Sequence, residues 1–115
     1  MTADPTARFS LVGKSIVITG ASGSMGREAA LGLGAAGANI TLAGGNQAAL
    51  EELAARPELA GAAIAPFRPD TPEDAKAIID AAMTAFGRLD GMLVASGMIS
   101  EQQLDTPTIN NDVME

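Results

Sequence analysis

The sequence predicts an α/β fold: a doubly wound parallel sheet with helices on both faces, truncated after four strands that lie in the order 3-2-1-4. Short apolar runs alternate with longer segments of helical periodicity, so the 115 residues follow the order βαβαβαβ. The strands are mostly uninterrupted apolar runs, as expected when helices cover both faces of a sheet. Right-handed crossovers between parallel strands then give the stated order.

The first strand is predicted over Lys14–Thr19, where β-branched residues are bounded by Gly13 and Gly20. The first helix is predicted over Ser24–Ala36, and Gly37 after it is suited to a left-handed C-cap. Apolar residues spaced at i, i+4 and i+8 predict a buried stripe on this helix, formed by Met25, Ala29 and Leu33.

The second strand is predicted over Asn39–Ala43 and the second helix over Gln47–Ala55, with the turn Gly44–Asn46 between them. Pro57 is expected to end this helix, because proline lacks the N–H that a helix interior requires. The third strand is predicted over Ala62–Phe67.

The third helix has clear start and stop signals. Thr71 is a candidate N-cap with Pro72 at the first helical position, and the helix is predicted to run to Phe86 with Gly87 as its cap. The fourth strand is predicted over Gly91–Ala95. Helical spacing predicts a buried face made of Ala75, Ile78, Ile79, Ala82, Met83 and Phe86.

One domain accounts for the whole chain, because 115 residues suffice for a single core. Residues 1–10 are expected to form a polar leader, and residues 98–115 a tail that enters a truncated helix. The leader contains no apolar segment typical of a secretory signal, and Val12–Ile18 is too short to span a bilayer. We therefore expect a cytoplasmic protein that does not bind membranes.

The composition excludes several functions. The net charge is -7, from 7 basic and 14 acidic residues without a basic cluster, which argues against nucleic-acid binding. The chain has no Cys and no His, so thiolate catalysis, imidazole acid–base catalysis and metal sites built from these residues are excluded. We expect no metal.

A glycine-rich turn lies between the first strand and the first helix. Its sequence, TGASGSMG over Thr19–Gly26, places glycines where the chain enters a helix. A helix N-terminus offers unpaired N–H groups and the positive end of the helix dipole, and glycines let a phosphate approach both. The sequence therefore predicts a phosphate site at the mouth of this helix, formed by Gly20, Ser22, Ser24, Met25 and Gly26.

Four segments in register resemble the short-chain dehydrogenase/reductase family. They are the TGxxxSMG turn over Thr19–Gly26, LAGGN over Leu42–Asn46, FGRLD over Phe86–Asp90 and VASG over Val94–Gly97. The resemblance covers almost the whole chain and implies a Rossmann-like fold that binds NAD or NADP. It also implies hydride transfer between that cofactor and a carbonyl or alcohol carbon in the complete enzyme. The implied contacts beyond the first turn lie at Gly45, Asn46, Asp70, Ala95, Ser96 and Gly97.

The chain departs from the family pattern at the phosphate and ribose positions. Ser24 stands where the family has a glycine, although its backbone N–H is retained. Gly44 and Gly45 stand where the family has an Asp for NAD or an Arg for NADP, so the preference between the two cofactors stays open. Asn46 is either a ribose contact or the N-cap of the second helix.

A second group of departures concerns the adenine and nicotinamide ends. Arg68 occupies the place of the adenine-contacting Asp of the family, with Asp70 two residues further on. The contact stays open between the two, with Asp70 named as the candidate, and both are otherwise charges of a surface loop. Val94 and Ala95 replace both asparagines of the family's NNAG motif.

Catalysis in the family requires a Tyr, a Lys and a Ser located after strand four. This chain has no Tyr, and its lysines are Lys14 and Lys76. Its serines at Ser22, Ser24 and Ser96 have no neighbouring base, so no catalytic residue is assigned. We expect the cofactor-binding half of an oxidoreductase, which meets a small-molecule substrate only in the complete enzyme. The alternative is a non-catalytic dinucleotide-binding or scaffolding module. Self-association is expected because strand four lies at an uncovered edge.

Overall fold

The computed structural model describes residues 10–95. Their strands are β1 (Ser15–Thr19), β2 (Asn39–Ala43), β3 (Ala63–Ala65) and β4 (Gly91–Val94). Their α-helices are α1 (Ser24–Ala35), α2 (Gln47–Ala54) and α3 (Pro72–Phe86), and a 3₁₀ turn covers Pro57–Leu59. All pairings are parallel and the sheet order is β3-β2-β1-β4, which confirms the predicted α/β topology. The predicted leader before Ser10 and the tail over residues 98–115 lie outside the described residues.

β1 lies in the middle of the sheet, between β2 and β4. Ser15 is paired with Asn39 at one end of the β1–β2 ladder, and Thr19 is paired with both Ala43 and Val94 at the other. The carboxyl ends of these three strands therefore lie at the same edge.

The core has two parts, one on each face of the sheet. On one face, Ile18 and Leu42 pack with α1 and α2 in a cluster that also contains Ala21, Ala30, Ile40, Leu50, Leu53 and Leu59. On the other face, Val17 packs against α3 in a cluster with Ala43, Ala65, Ile78 and Ala82. Helices on both faces explain why consecutive strand residues are apolar: Val17 and Ile18 point to opposite clusters and both are fully buried.

The helix termini follow the sequence signals. Thr71 caps α3, since its Oγ1 accepts the N–H of Asp74 at 3.0 Å, and Gly87 after α3 has φ +73°. α1 ends in a Schellman motif, because the N–H groups of Gly37 and Ala38 donate to carbonyls one turn back and Gly37 has φ +101°.

Two predicted core residues are exposed. Met25 is 73% exposed, because α1 presents Gly26 and Ala30 to the sheet instead, one position further along the helix. Met83 is 44% exposed, because it follows the buried Ala82 by one residue and is therefore turned about 100° around α3 from it.

Several boundaries also differ from the prediction. β3 is limited to Ala63–Ala65. The chain leaves the sheet after Ala65, where the Phe67 N–H donates to the Ala65 carbonyl instead of to a neighbouring strand. α2 ends at Ala54, before Pro57, and that proline begins the 3₁₀ turn rather than stopping the helix directly. The predicted termini of β1, α1 and β4 are each one residue too long.

Asp90 fixes the start of β4 to the start of β1. Its Oδ2 accepts the backbone N–H of Ser15 at 2.8 Å, and its own N–H donates to the Ser15 carbonyl at 2.8 Å. Arg88 donates to both carboxylate oxygens, at 2.7 and 2.6 Å. The hydrogen bonds from Arg88 and then from Ser15 lower the pKa of the Asp90 carboxyl.

Within residues 10–95, every helix is too short or too polar to traverse a lipid bilayer.

Candidate cofactor-binding site

The loops after the parallel strands meet at one edge of the sheet. The Ala95 N–H donates to the Thr19 carbonyl at 3.1 Å, and the Ala21 N–H donates to the Ala43 carbonyl at 3.1 Å. The turn after β1 therefore lies between the end of β2 and the end of β4. In open α/β sheets, ligands bind beyond the carboxyl ends of the strands, where crossovers leave in opposite directions.

The turn after β1 is packed tightly against the first turn of α1. Gly20 has φ +66°, and its carbonyl accepts the Gly23 N–H at 3.1 Å. A Cβ on Gly26 would lie only 2.2 Å from the Gly20 oxygen and 2.9 Å from the Ala21 Cα. These contacts are with backbone atoms that cannot rotate away, so only glycine fits at position 26.

The N-terminus of α1 lacks the capping side chain that Asn46 provides to α2 and Thr71 to α3. Its N-cap is Gly23, which provides no capping side chain, and no acidic residue lies in its first turn. The N–H groups of Ser24, Met25 and Gly26 have no acceptor within the helix, because the first intrahelical bond is from Arg27 to Gly23. With the helix dipole, these groups favour an anion.

The side chains around the N-terminus of α1 leave its N–H groups accessible to a ligand. Ser22 and Ser24 are exposed, and each offers a hydroxyl that can donate to a phosphate oxygen. The Met25 side chain is exposed, so the apolar residue of the motif is not part of the core. The donor set, consisting of backbone N–H groups and two hydroxyls, fits a pyrophosphate.

The end of β2 has little side-chain bulk. Gly44 is buried, and a Cβ on it would lie 3.9 Å from the Ser22 Oγ, so this end of β2 lies beside the phosphate turn. Gly45 and Asn46 follow and are exposed. The Asn46 Oδ1 accepts the Ala49 N–H at 3.1 Å, which makes Asn46 the N-cap of α2.

Arg68 lies over Gly45, a position that sequence reasoning did not give it. A Cβ on Gly45 would be 2.9 Å from the Arg68 Nε and 3.3 Å from its Cγ. Asp70, the predicted adenine contact, is exposed in the loop between β3 and α3, where its N–H donates to the Arg68 carbonyl at 2.8 Å. The position of Arg68 shortly after β3 could have indicated this contact. β2 and β3 are adjacent parallel strands, so the residues that follow them lie at the same edge of the sheet.

An apolar concavity of about 140 Å³ lies beside the end of β4, on the α3 side of the sheet. It is lined by Thr19, Pro69, Ala75, Ile78, Ile79, Met92 and Val94. Ala95, the next residue after Val94, is half-buried against the core cluster on the opposite, α1 and α2, face of the sheet. The predicted contacts Ser96 and Gly97 lie outside the described residues. The structure thus brings the phosphate turn, the end of β2 and Ala95 together at one edge.

The family model described as short chain dehydrogenase matches residues 14–115. The chain belongs to the short chain dehydrogenase family. It is 55% identical over 91 residues to an uncharacterized oxidoreductase of Mycobacterium tuberculosis, a match that covers 79% of this chain and 34% of that protein. The chain therefore spans about a third of the length of this relative.

Solved structures of short chain dehydrogenases share the observed fold. A short-chain type dehydrogenase/reductase of Mycobacterium marinum matches with a TM-score of 0.64 and 31% identity, over 77% of this chain and 37% of that one. A 3-ketoacyl-(acyl-carrier-protein) reductase of Brucella melitensis in complex with NADH matches with a TM-score of 0.67 and 28% identity, over 72% and 34% of the two chains. Membership in this oxidoreductase family confirms the resemblance drawn from the four motifs.

Proposed function

We propose that this chain binds NAD or NADP and forms the cofactor-binding part of an oxidoreductase. The observation that carries the proposal is the N-terminus of α1, which has no capping side chain and no acidic residue and lies in a glycine turn too tight for a Cβ at Gly26. The NADH bound to the Brucella melitensis reductase supports a nicotinamide cofactor for this chain as well.

In this proposal the pyrophosphate binds the N–H groups of Ser24, Met25 and Gly26, with Gly20 shaping the turn and Ser22 adding a hydroxyl. The adenosine lies toward β2 and β3, near Gly45, Asn46 and Asp70. The nicotinamide lies toward β4, near Ala95, Ser96 and Gly97. The two sides are the strand ends that flank the central strand β1, and the direction is the one that the resemblance to the family implies.

The cofactor supplies or accepts the hydride. The residues of this chain bind and orient it, and the glycine turn fixes the pyrophosphate so that the two ends of the cofactor lie on opposite sides of β1. The chain contains no Tyr, so the proton donor to the substrate oxygen is assigned to the remainder of a complete enzyme. The same holds for the binding of a carbonyl or alcohol substrate.

The proposal is tested by titrating NADH and NADPH into the protein in a calorimeter. Ser24→Asp adds a carboxylate at the first position of α1, where it suits the helix dipole but repels a pyrophosphate. Thr84→Asp adds the same charge to an exposed position near the end of α3, at the opposite edge of the sheet. We expect Ser24→Asp to abolish binding and Thr84→Asp to retain it.

Two results would overturn the proposal: folded wild-type protein that binds neither nucleotide at millimolar concentration, or equal binding by Ser24→Asp and wild type. Far-UV circular dichroism of each variant shows whether it is folded before its binding is compared.

A cytoplasmic location and self-association through β4 belong to the same proposal. β4 is an edge strand in which Val94 is 65% exposed, Met92 47% and Leu93 37%. Unpaired backbone groups next to exposed apolar side chains favour pairing with another strand, here the β4 of a second copy. Cell fractionation tests the location, and the mass in solution tests the association.

A further inference from the structure

We propose that Arg68 makes this site selective for NADP by binding the phosphate on the 2′ oxygen of the adenosine ribose. The inference rests on the proposed function and extends it to the choice between the two cofactors. It assigns the selecting charge to the loop after β3, although dinucleotide-binding folds usually place the selecting residue close to the end of β2.

The end of β2 lacks the group that would select NAD. In dinucleotide-binding sheets, a carboxylate at this position accepts hydrogen bonds from the ribose hydroxyls of NAD, and it repels a phosphate there. Ala43 is followed here by Gly44, Gly45 and Asn46, none of which is acidic. The Asn46 Oδ1 is engaged by the N–H of Ala49.

Gly45 provides the space that Arg68 occupies. The Cβ position of Gly45 lies 2.9 Å from the Arg68 Nε, 3.3 Å from its Cγ and 3.5 Å from its Cδ. A side chain at position 45 would need this volume, so the missing Cβ lets the arginine stem lie across the backbone. The exposed Arg68 side chain thus lies beside Gly45 at the end of β2, where the proposed function places the ribose.

The charge on Arg68 is not neutralised within residues 10–95. The ion pairs in this part of the chain are Arg56 with Glu58, Lys76 with Asp80, and Arg88 with Asp90. Arg68 takes part in none of them, although the chain carries a net charge of -7. A guanidinium presents paired N–H donors that match phosphate oxygens, so a phosphate is the ligand this position suits best.

The test compares two nucleotides that differ only in the phosphate of interest: adenosine 2′,5′-bisphosphate and adenosine 5′-monophosphate. Titration calorimetry gives both dissociation constants for the wild type and four variants. We expect the wild type to bind the bisphosphate at least about tenfold more tightly, as is typical of a charged hydrogen bond to phosphate. Arg68→Gln is expected to remove this preference and to leave the monophosphate affinity unchanged.

Three further variants test whether the preference for the bisphosphate depends on the charge of Arg68 alone or also on the position and shape of its guanidinium. Arg56→Gln removes one positive charge at a distant exposed site and is expected to keep the preference. Arg68→Lys is expected to restore part of it, because lysine keeps the charge without the planar fork. Gly45→Ala keeps the arginine but puts a Cβ 2.9 Å from its Nε, so the arginine side chain must shift, and the preference is expected to fall.

The outcomes distinguish this inference from the function on which it rests. If the wild type binds both nucleotides with equal affinity, the proposed selectivity by Arg68 is wrong, but the proposed binding of a dinucleotide still stands. Equal weakening of the binding of both nucleotides by Arg68→Gln also overturns it, since the arginine would then contact a part that the two nucleotides share and not the 2′-phosphate. Failure of the wild type to bind either nucleotide, NADH or NADPH overturns both.

Discussion

Replacing Gly26 by alanine tests the tight packing that shapes the phosphate site. The new Cβ would lie 2.2 Å from the Gly20 oxygen, 2.8 Å from the Gly20 carbonyl carbon and 2.9 Å from the Ala21 Cα, whereas real Cβ contacts are essentially never below 3.0 Å. All three atoms belong to the backbone, so α1 and the turn must move apart.

The size of the effect follows from two opposing terms. Forcing a methyl group into a packed site costs about 1–3 kcal/mol, and contacts this short place Gly26→Ala near the upper end of that range. Alanine is favoured over glycine within a helix by about 1 kcal/mol. We therefore expect a net destabilisation of about 2 kcal/mol, which lowers the melting temperature by roughly 10 °C in a domain of this size.

Gly32→Ala is the matched control in the same helix. Gly32 is exposed, and a Cβ there would have no neighbour within 4 Å. The helix-propensity term then acts alone, and we expect a gain of about 1 kcal/mol. The same substitution thus has opposite signs at two positions of α1.

Urea and thermal unfolding followed by far-UV circular dichroism give the two stability changes, and calorimetry gives nucleotide affinity. Gly26→Ala is also expected to weaken nucleotide binding, because the turn that shapes the phosphate site has moved. A Gly26→Ala variant as stable as Gly32→Ala, or one with unchanged nucleotide affinity, would refute this account of the turn.

Three other predictions concern the end of α1, the start of β4 and its exposed edge. Gly34→Ala places a Cβ 2.4 Å from the Glu58 carbonyl oxygen, so we expect a loss of about 1–2 kcal/mol in unfolding experiments. Nucleotide affinity should be unchanged, since the C-terminal end of α1 is remote from the carboxyl ends of the strands, where the nucleotide is proposed to bind. Hydrogen bonds from Arg88 and the Ser15 N–H lower the pKa of Asp90, so the carboxylate stabilises the fold above its unfolded-state pKa, and this contribution is lost as the pH falls through the lowered folded value. The melting temperature of Asp90→Asn should therefore lie below wild type at neutral pH and approach it in acid; a difference that does not depend on pH would contradict this. Val94→Lys charges the exposed β4 edge, and light scattering after size exclusion should show a lower mass than for wild type; a monomeric wild type would contradict the proposed self-association.

Much of the fold could be predicted because its signals are local. The β-branched run before Gly20 predicts β1, and the Thr71–Pro72 pair predicts the start of α3 to the residue. The handedness of crossovers limits the possible orders of parallel strands, and the observed order is the simplest doubly wound one. The glycine turn was located for the same reason, since its chemistry lies within eight consecutive residues.

The two wrong predictions of buried residues, Met25 and Met83, were made from the helical spacing of apolar residues alone. The spacing of Met25 with later apolar residues suggested a buried stripe, but the close approach of Gly26 to the Gly20 carbonyl orients α1 one position differently. Met83 fits the apolar spacing of α3, but it is turned about 100° around the helix from the buried Ala82 and is 44% exposed. Helical spacing identifies an apolar face but not which residues at its margin are covered.

The sequence by itself determined the order of strands and helices, the helix caps and the position of the glycine turn before α1, because each depends on the conformational limits of a few neighbouring residues. Only the tertiary structure decided that Arg68 lies across Gly45 and that Asp90 accepts the N–H of Ser15, 75 residues away. Such contacts depend on the relative positions of separate strand ends in the folded sheet. Those positions are set by the packing of the whole core, and no local segment encodes them.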